Sequence, residues 1–223
     1  MKLVIFDCDG TLVDSQHGIV DSMSRALANE GFSPLPRDRI LSVVGLSLSL
    51  AVQRLLPEAE PVVVERVVDG YRQAFTELRQ NKNISEPLYE GIKGLVSKLR
   101  GQDDVLLGVA TGKSIRGVKR LFDQQDWHAT FVTMQTADTN ASKPHPEMIE
   151  KAMAEAGVDA VDTVMIGDTT FDIEMAQNAN VRGIGVAWGY HPVDHLRNAG
   201  AHSIVDDSHG LSEAIDSFLG QRR

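Results

Sequence analysis

The chain has 223 residues, of which 42% are hydrophobic and 24% are charged, and its formal net charge is -9. This composition is typical of a globular protein, and the length suits one sizeable domain with a smaller added unit rather than several domains. The negative charge would repel a polyphosphate backbone, so the composition argues against a nucleic-acid partner.

The first predicted element is a strand over residues 3–6, a continuous apolar run of the kind that is buried on both faces of a parallel sheet. The run is far too short for a signal sequence or a transmembrane helix, so we expect no membrane association. The single cysteine, Cys8, excludes an intramolecular disulfide. That cysteine usage fits a cytoplasmic protein.

Residues 15–86 show helical periodicity without a convincing buried strand, which predicts an all-helical insertion. The expected domains are therefore a core of residues 1–14 and 87–223 and a helical domain of residues 15–86. Glycine and proline divide the insertion into candidate helices near residues 16–30, 37–44, 48–56 and 62–80.

From residue 91 onward, predicted strands and helices alternate. The further strands are expected at residues 105–110, 130–133, 163–166 and 183–186. The helices are expected near residues 91–100, 114–125, 145–156, 170–179 and 208–219. This alternation predicts an α/β fold with a doubly wound parallel sheet.

Two acids, Asp7 and Asp9, follow the first strand within the sequence Asp-Cys-Asp-Gly-Thr. Open parallel sheets bind ligands at the carboxyl ends of their strands, so we expect the two carboxylates to share one pocket. Such a pair repels unless a cation neutralises it or one acid keeps a proton. Magnesium suits oxygen ligands beside a phosphate. A simple turn built from Asp9 and Gly10 is the alternative interpretation.

Three later strand ends carry polar residues suited to the same chemistry. Thr111 and Gly112 follow the second strand, where a hydroxyl and backbone N–H groups can hold an anion, although a helix N-cap is the commoner role for such a threonine. Lys143 precedes a proline at a helix start and can either reach phosphate oxygens or remain on the surface. Asp168 can bind the same cation as the first acid pair, and Asp172 can support it or orient Lys143, although both acids also suit a helix N-terminus.

Acid pair, hydroxyl, lysine and acid in this order resemble the four motifs of the haloacid dehalogenase-like hydrolase superfamily. The matching positions are residues 7–11, Thr111, Lys143 and residues 168–172, and the resemblance covers nearly the whole chain. The helical insertion resembles the cap of that superfamily. Members similar to phosphoglycolate phosphatase are the subgroup that the chain resembles.

The resemblance implies a magnesium-dependent phosphatase that hydrolyses a small-molecule phosphate monoester. It implies that Asp7 attacks phosphorus to form an aspartyl-phosphate, while Asp9 protonates the leaving alcohol and later deprotonates water. The implied catalytic residues are Asp7, Asp9, Thr111 and Lys143, and the implied phosphate-binding residues are Thr111, Gly112 and Lys143. The implied metal ligands are Asp7, Asp9 through its backbone carbonyl, and Asp168, with Asp172 supporting them.

Two other functions remain open from the sequence. A sugar-phosphate mutase has the same four motifs, and only its product would distinguish it. A receiver-type signalling domain also carries acids, Thr and Lys on a parallel sheet, but the insertion at residues 15–86 argues against it. We expect substrate selection by the insertion, with Ser47 and Arg54 as candidates, and a monomer or homodimer. His145, His191 and His195 have no metal-binding spacing and are expected on the surface.

Overall fold

The computed structural model describes residues 1–80 and 85–220. Its strands are β1 (Lys2–Phe6), β2 (Val105–Thr111), β3 (Phe131–Thr136), β4 (Thr163–Gly167), β5 (Arg182–Val186) and β6 (Ser203–Val205). They form one parallel sheet in the order β3-β2-β1-β4-β5-β6. The first strand therefore lies in the middle of the sheet, between β2 and β4, where the order of connection reverses.

Ten α-helices surround or extend this sheet within the described ranges. Four of them lie between β1 and the rest of the core and form the helical segment: α1 (Gln16–Asn29), α2 (Arg37–Leu41), α3 (Leu48–Leu55) and α4 (Pro61–Gln80). The other six are α5 (Ile92–Arg100), α6 (Ile115–Gln125), α7 (Glu147–Ala156), α8 (Thr170–Asn178), α9 (Val193–Asn198) and α10 (Ser208–Leu219). No helix among the described residues is long and apolar enough to cross a membrane.

The sheet is buried on both faces because alternate side chains of β1 enter different cores. Val4 and Phe6 pack with residues of α5, α6 and α10. Leu3 and Ile5 pack on the opposite face with residues of α7 and α8. This arrangement explains the continuous apolar run of β1 and confirms the predicted α/β class with helices on both sides.

The helical segment has its own apolar cluster, in which α1 packs against α4. Ile19 and Met23 of α1 and Val67 of α4 contribute buried side chains to it. Phe171 of α8 joins the same cluster, so the segment also contacts the α/β core. The division of the chain at residues 14/15 and 86/87 stays a prediction, because residues 81–84 lie outside the described part, as do residues 221–223.

All the predicted strands and helices are present, some with shifted ends. Strand β3 runs to Thr136 rather than ending at 133, because residues 134–136 pair with the end of β2. Helix α2 ends at Leu41 rather than near 44, and helix α7 begins at Glu147 rather than 145. The sequence prediction missed β6 and α9, which have three and six residues. Elements that short carry too little periodicity to be recognised.

Candidate active site

The carboxyl edge of the sheet brings three of the predicted motifs together. Asp7 directly follows β1, Thr111 is the last residue of β2, and Asp168 directly follows β4. Since β1 lies between the other two strands, these side chains converge on the centre of that edge. All three side chains are buried, with at most 1% of each residue exposed.

Lys143 reaches the same point from the loop between β3 and α7. It is fully buried, and its Nζ lies 3.0 Å from Asp7 Oδ1 and 2.6 Å from Asp172 Oδ1. The surface-lysine alternative is therefore wrong. The other oxygen of Asp172 accepts hydrogen bonds from the backbone N and the Oγ1 of Thr169, at 3.1 and 2.7 Å. Asp172 thus both holds the lysine and completes the N-terminal capping box of α8.

Three glycines leave space for the side chains of Asp168 and Asp172. A Cβ on Gly167 would lie 2.2 Å from the Asp172 carboxyl carbon, and a Cβ on Gly10 would lie 2.2 Å from Asp168 Oδ2. A Cβ on Gly189 would lie 2.1 Å from the Cβ of Asp168. Asp168 also accepts hydrogen bonds from Thr11 Oγ1 and from a backbone N–H, which fix its orientation. The backbone around the acids is packed too closely for any other residue type at these three positions.

The buried charges of the cluster do not balance. Asp7, Asp168 and Asp172 place oxygen atoms within 4.8 Å of one another, and Lys143 is the cation that contacts two of them. Burial raises the pKa of Asp7 to about 6, against the opposing effect of Lys143. Burial and the two neighbouring acids raise the pKa of Asp168 well above its usual range.

One oxygen of this cluster also lacks a partner. Asp7 Oδ2 is buried and makes no hydrogen bond with any described residue. Three carboxylates and one ammonium leave two negative charges without a partner when all four groups are ionised. A divalent cation with oxygen ligands fits the excess charge. The cluster is therefore a candidate metal site.

The carboxylate of Asp9 points away from this cluster. Its Oδ1 accepts hydrogen bonds from Ser15 Oγ and Lys113 Nζ, both at 2.6 Å. Lys113 also binds Glu86 Oε1 at 2.7 Å. The third carboxylate beside the candidate metal site is Asp172, whereas the assignment of Asp9 as a ligand through its carbonyl stays a prediction. Asp7 and Asp9 nevertheless line the same cavity.

Thr111 does not cap the helix that follows it. The N-cap of α6 is Ser114, whose side chain accepts a hydrogen bond from the backbone N of Gly117. The Thr111 hydroxyl accepts a hydrogen bond from the backbone N of Lys113 at 3.2 Å and lies beside Asp7, where it lowers the pKa of that carboxyl. The helix N-cap alternative for Thr111 is therefore wrong, and the O–H of Thr111 can still donate a hydrogen bond to an anion.

The loop of residues 42–47 in the helical segment closes directly over the core. A Cβ on Gly112 would lie 2.7 Å from the carbonyl oxygen of Gly45. The backbone N of Ser47 donates a hydrogen bond to Ser142 Oγ at 2.8 Å. His191 is buried, contrary to the surface prediction, because its Nε2 bonds the carbonyl of Ser42 at 3.2 Å. His145 and His195 are exposed, as predicted.

Sequence reasoning missed Lys113, and for residues 188–191 it left open whether they border the pocket mouth or form a packed loop. Tyr190 and Trp188 follow β5, where the hydroxyl of Tyr190 lies 3.1 Å from Ser15 Oγ, and Trp188 Nε1 donates to the carbonyl of Thr11. Lys113 adjoins a recognised motif position, but its type alone does not indicate a contact with Asp9. No spacing in the sequence relates these residues, because the fold brings them from distant parts of the chain.

A cavity of about 260 Å³ lies between the helical segment and the core. Its core end is lined by Asp7, Asp9 and Thr111, and its opposite wall comes from the helical segment. Ser47, one of the two predicted selectivity residues, lines this cavity. The other, Arg54, lies instead over the ring of Phe171, with its guanidinium carbon 5.0 Å from the ring centroid.

Comparison with known proteins decides the family. The model of the haloacid dehalogenase-like hydrolases matches residues 4–186, which span all the motif positions at the carboxyl edge of the sheet. The chain belongs to the haloacid dehalogenase-like hydrolase family. The predicted family is therefore confirmed, and the buried acid cluster is the site that carries its motifs.

The names of several relatives support the phosphatase class for this hydrolase. "Probable phosphatase IndB" of Dickeya dadantii is 39% identical over 97% of this chain and 94% of its own length. A phosphoglycolate phosphatase of Agrobacterium fabrum is 30% identical over 96% of this chain and 91% of its own. The crystal structure of a "predicted phosphatase" from Clostridium acetobutylicum is 27% identical, has a TM-score of 0.86 and covers 97% of this chain and 98% of its own. The predicted fold and the predicted phosphoric monoester hydrolase class are confirmed.

One structural relative has a name from another reaction class. A structure from Bacteroides vulgatus that is named for a beta-phosphoglucomutase has a TM-score of 0.80 and 22% identity, over 99% of this chain and 91% of its own. This likeness concerns the fold alone. The fold is thus common to both reaction classes, and the product of the reaction is what separates a phosphatase from a mutase.

Proposed function

We propose that this protein hydrolyses a small-molecule phosphate monoester with magnesium, through an aspartyl-phosphate on Asp7. The observation that carries the proposal is the free oxygen of Asp7. Oδ2 is buried without a hydrogen-bond partner among the described residues, while Oδ1 is held by Lys143 at 3.0 Å and by the backbone N of Cys8 at 2.7 Å. A carboxylate fixed through one oxygen, with the other oxygen free beside a cavity, suits a nucleophile.

The residues around Asp7 also suit a magnesium ion. Asp7 and Asp168 would hold the ion with their carboxylates, and Asp9 with its backbone carbonyl. When bound, the ion would neutralise negative charge on the acids and on the phosphoryl oxygens. The two unbalanced negative charges of the acid cluster support a divalent ion at this position.

In the first half-reaction, a carboxylate oxygen of Asp7 attacks phosphorus. The new P–O bond to Asp7 forms while the P–O bond to the leaving alcohol breaks, and Asp9 donates its proton to the leaving oxygen. Lys143, the Thr111 hydroxyl and the backbone N–H groups near Gly112 would bind the phosphoryl oxygens, where charge spreads in the transition state.

In the second half-reaction, Asp9 takes a proton from water, and the water oxygen attacks phosphorus. The bond between phosphorus and Asp7 breaks, which releases phosphate and restores the carboxylate. Ser15 and Lys113 both bind Oδ1 of Asp9. This arrangement leaves Oδ2 of Asp9 available for the two proton transfers.

The proposal includes the setting expected from the sequence, which is a cytoplasmic monomer or homodimer acting on a free metabolite. The single cysteine, Cys8, is buried and unpaired, as suits a reducing compartment.

The test is phosphate release from a panel of phosphorylated metabolites, measured with magnesium, with a chelator and with calcium. We expect turnover with magnesium, loss of turnover after chelation, and recovery when magnesium is returned. Calcium should support little turnover, since its longer and more flexible coordination misplaces the nucleophile. Full turnover after exhaustive chelation would contradict the metal assignment. An isomeric phosphate in place of free phosphate would favour the mutase.

A further inference from the structure

The cavity beyond Asp9 has a largely apolar wall. The helical segment supplies most of this wall through aliphatic and aromatic side chains of α1, α2, α4 and the loop that follows α2. The apolar members include Ile19, Met23, Ile40, Tyr71 and Phe75, and hydroxyl and arginine side chains of the same segment also line the cavity. The aliphatic and aromatic side chains bind apolar surface and offer little to a small charged group.

Helix α4 contributes three side chains at a spacing of four residues, on one face. The rings of Tyr71 and Phe75 stack with centroids 5.7 Å apart, and the guanidinium of Arg79 lies 4.3 Å from the centroid of Phe75. All three line the cavity. The hydroxyl of Tyr71 makes no hydrogen bond with any described residue, so it is available to a ligand.

The cations nearest to Asp9 are already neutralised. Lys113 binds both Asp9 and Glu86, and Arg79 binds the second oxygen of Glu86 at 2.6 Å. Two carboxylates and two cations therefore form one balanced network. A negatively charged leaving group would find no unpaired cationic charge in this network, although Arg79 Nε is buried without a hydrogen-bond partner among the described residues. The remaining lysine or arginine side chains of the cavity, Arg72 and Arg116, lie at its exposed rim.

The cavity is also larger than a small leaving group requires. A single water needs roughly 10–15 Å³ measured on the same basis, so 260 Å³ is space for far more than a two-carbon alcohol. A small leaving group would leave most of the apolar wall in contact with water. A larger leaving group would displace that water and bury its own apolar surface.

We propose that the substrate is a phosphate monoester of a bulky, uncharged alcohol whose apolar or aromatic face packs on Tyr71 and Phe75. This inference rests on the proposed phosphatase function and names its substrate class. The proposed substrate differs from the one that the phosphoglycolate phosphatase relatives suggest, because the glycolate leaving group is small and carries a carboxylate. The free hydroxyl of Tyr71 would bind a polar atom of the same alcohol.

Three matched esters test the proposal on the unmodified protein. Ethyl phosphate, 2-phenylethyl phosphate and phosphoglycolate all have a primary alcohol as leaving group, so differences in kcat/KM report mainly on the contacts of the rest of the molecule. We expect kcat/KM for 2-phenylethyl phosphate to exceed that for ethyl phosphate by about 100-fold, the effect of burying a ring. Phosphoglycolate should be no better than ethyl phosphate. Equal values for the two neutral esters, or a preference for phosphoglycolate, would overturn the substrate class.

Two variants test which side chains cause the preference for 2-phenylethyl phosphate over ethyl phosphate. Phe75→Ala removes a ring that lines the cavity, and Phe32→Ala removes a half-buried ring from the same apolar cluster away from the cavity. The ratio of kcat/KM between 2-phenylethyl and ethyl phosphate should fall by about tenfold in Phe75→Ala and stay unchanged in Phe32→Ala. An equal fall in both variants, or in neither, would contradict the assignment of the wall.

The outcomes separate this inference from the function on which it rests. If all three esters release phosphate but without the expected preference, the phosphatase stands and the substrate class is wrong. If none of them and no ester of the metabolite panel releases phosphate with magnesium, the proposed function fails and the inference fails with it. The comparison of esters needs no variant, so it holds even if Phe75→Ala does not fold.

Discussion

The carboxyl edge of the sheet and the wall of the helical segment face one cavity with opposite chemistry. The edge presents Asp7, Asp168 and Lys143, which are buried, ionisable and tied to one another by short contacts. The wall presents aliphatic and aromatic side chains such as Met23 and Phe75. The comparison indicates that the two regions have separate roles, since the edge suits a reaction on a phosphoryl group and the wall suits selection of the alcohol attached to it.

The largest effect should come from the nucleophile. Asp7→Asn keeps the shape of the side chain, but an amide cannot form the acyl-phosphate, so turnover should fall by at least about 10⁴-fold. Phosphate release under saturating substrate measures this loss. Asp103→Asn, an exposed change before β2, is the matched control and should keep wild-type activity. Turnover of Asp7→Asn within tenfold of the wild type would show that Asp7 is not the nucleophile.

The next effect separates the two acids of the first motif. Asp9→Asn removes proton transfer but leaves the nucleophile, so the first step for an alkyl phosphate should slow by about 10²- to 10⁴-fold. An aryl phosphate with an acidic phenol needs little protonation and should slow less in that step. Rapid-quench measurements with both esters test this difference. Equal slowing would show that Asp9 is not the general acid.

The third effect concerns movement between the two regions. The contact of the Ser47 backbone N with Ser142 Oγ brings the helical segment close enough to the core for a disulfide. We propose that substrate enters and product leaves as the segment opens. In the Ser47→Cys and Ser142→Cys double variant, oxidation should then lower turnover by at least about tenfold. Reduction should restore it. Identical rates in the oxidised and reduced forms would show that the segment does not open during turnover.

The smallest effect should come from Lys113, which binds Asp9 and Glu86. Lys113→Met leaves Asp9 without its cationic partner, so kcat should fall by less than about tenfold while KM changes little. Lys113→Arg should recover part of the loss. Lys119→Met, an exposed change on α6, the helix that follows Lys113, is the control. An unchanged kcat in Lys113→Met would mean that Ser15 alone positions Asp9.

The sequence predicted the catalytic edge better than the wall, for a physical reason. Acids and a lysine at strand ends are unusual because buried charges are costly without partners, so their pattern indicates a site. Tyr71 and Phe75 belong to an ordinary helical stripe with Val67 and Val68. The structure buries the two valines inside the helical segment and places the two rings along the cavity. No spacing distinguishes these two outcomes.

Contacts between distant segments were equally hidden from the sequence. Asp7 and Asp9 line one cavity, as the sequence predicted. Lys113 and Ser15 bind the carboxylate of Asp9, however, and Asp172 joins Asp7 in the buried acid cluster. Each residue type was visible, whereas its partner depends on how α1 and α6 pack against the end of β1. Local pattern predicts elements and strand ends, and tertiary packing decides which side chains meet.

The central claim is that Asp7 carries the phosphoryl group between the two half-reactions. The most direct measurement uses Asp9→Asn, in which the lack of a base for water should let the intermediate accumulate. After rapid mixing with an aryl phosphate and magnesium, acid quenching and peptide mass spectrometry should find one phosphoryl group per chain, on Asp7. Release of the phenol in a single turnover with no phosphoryl group on the chain, or with one on another residue, would contradict the claim.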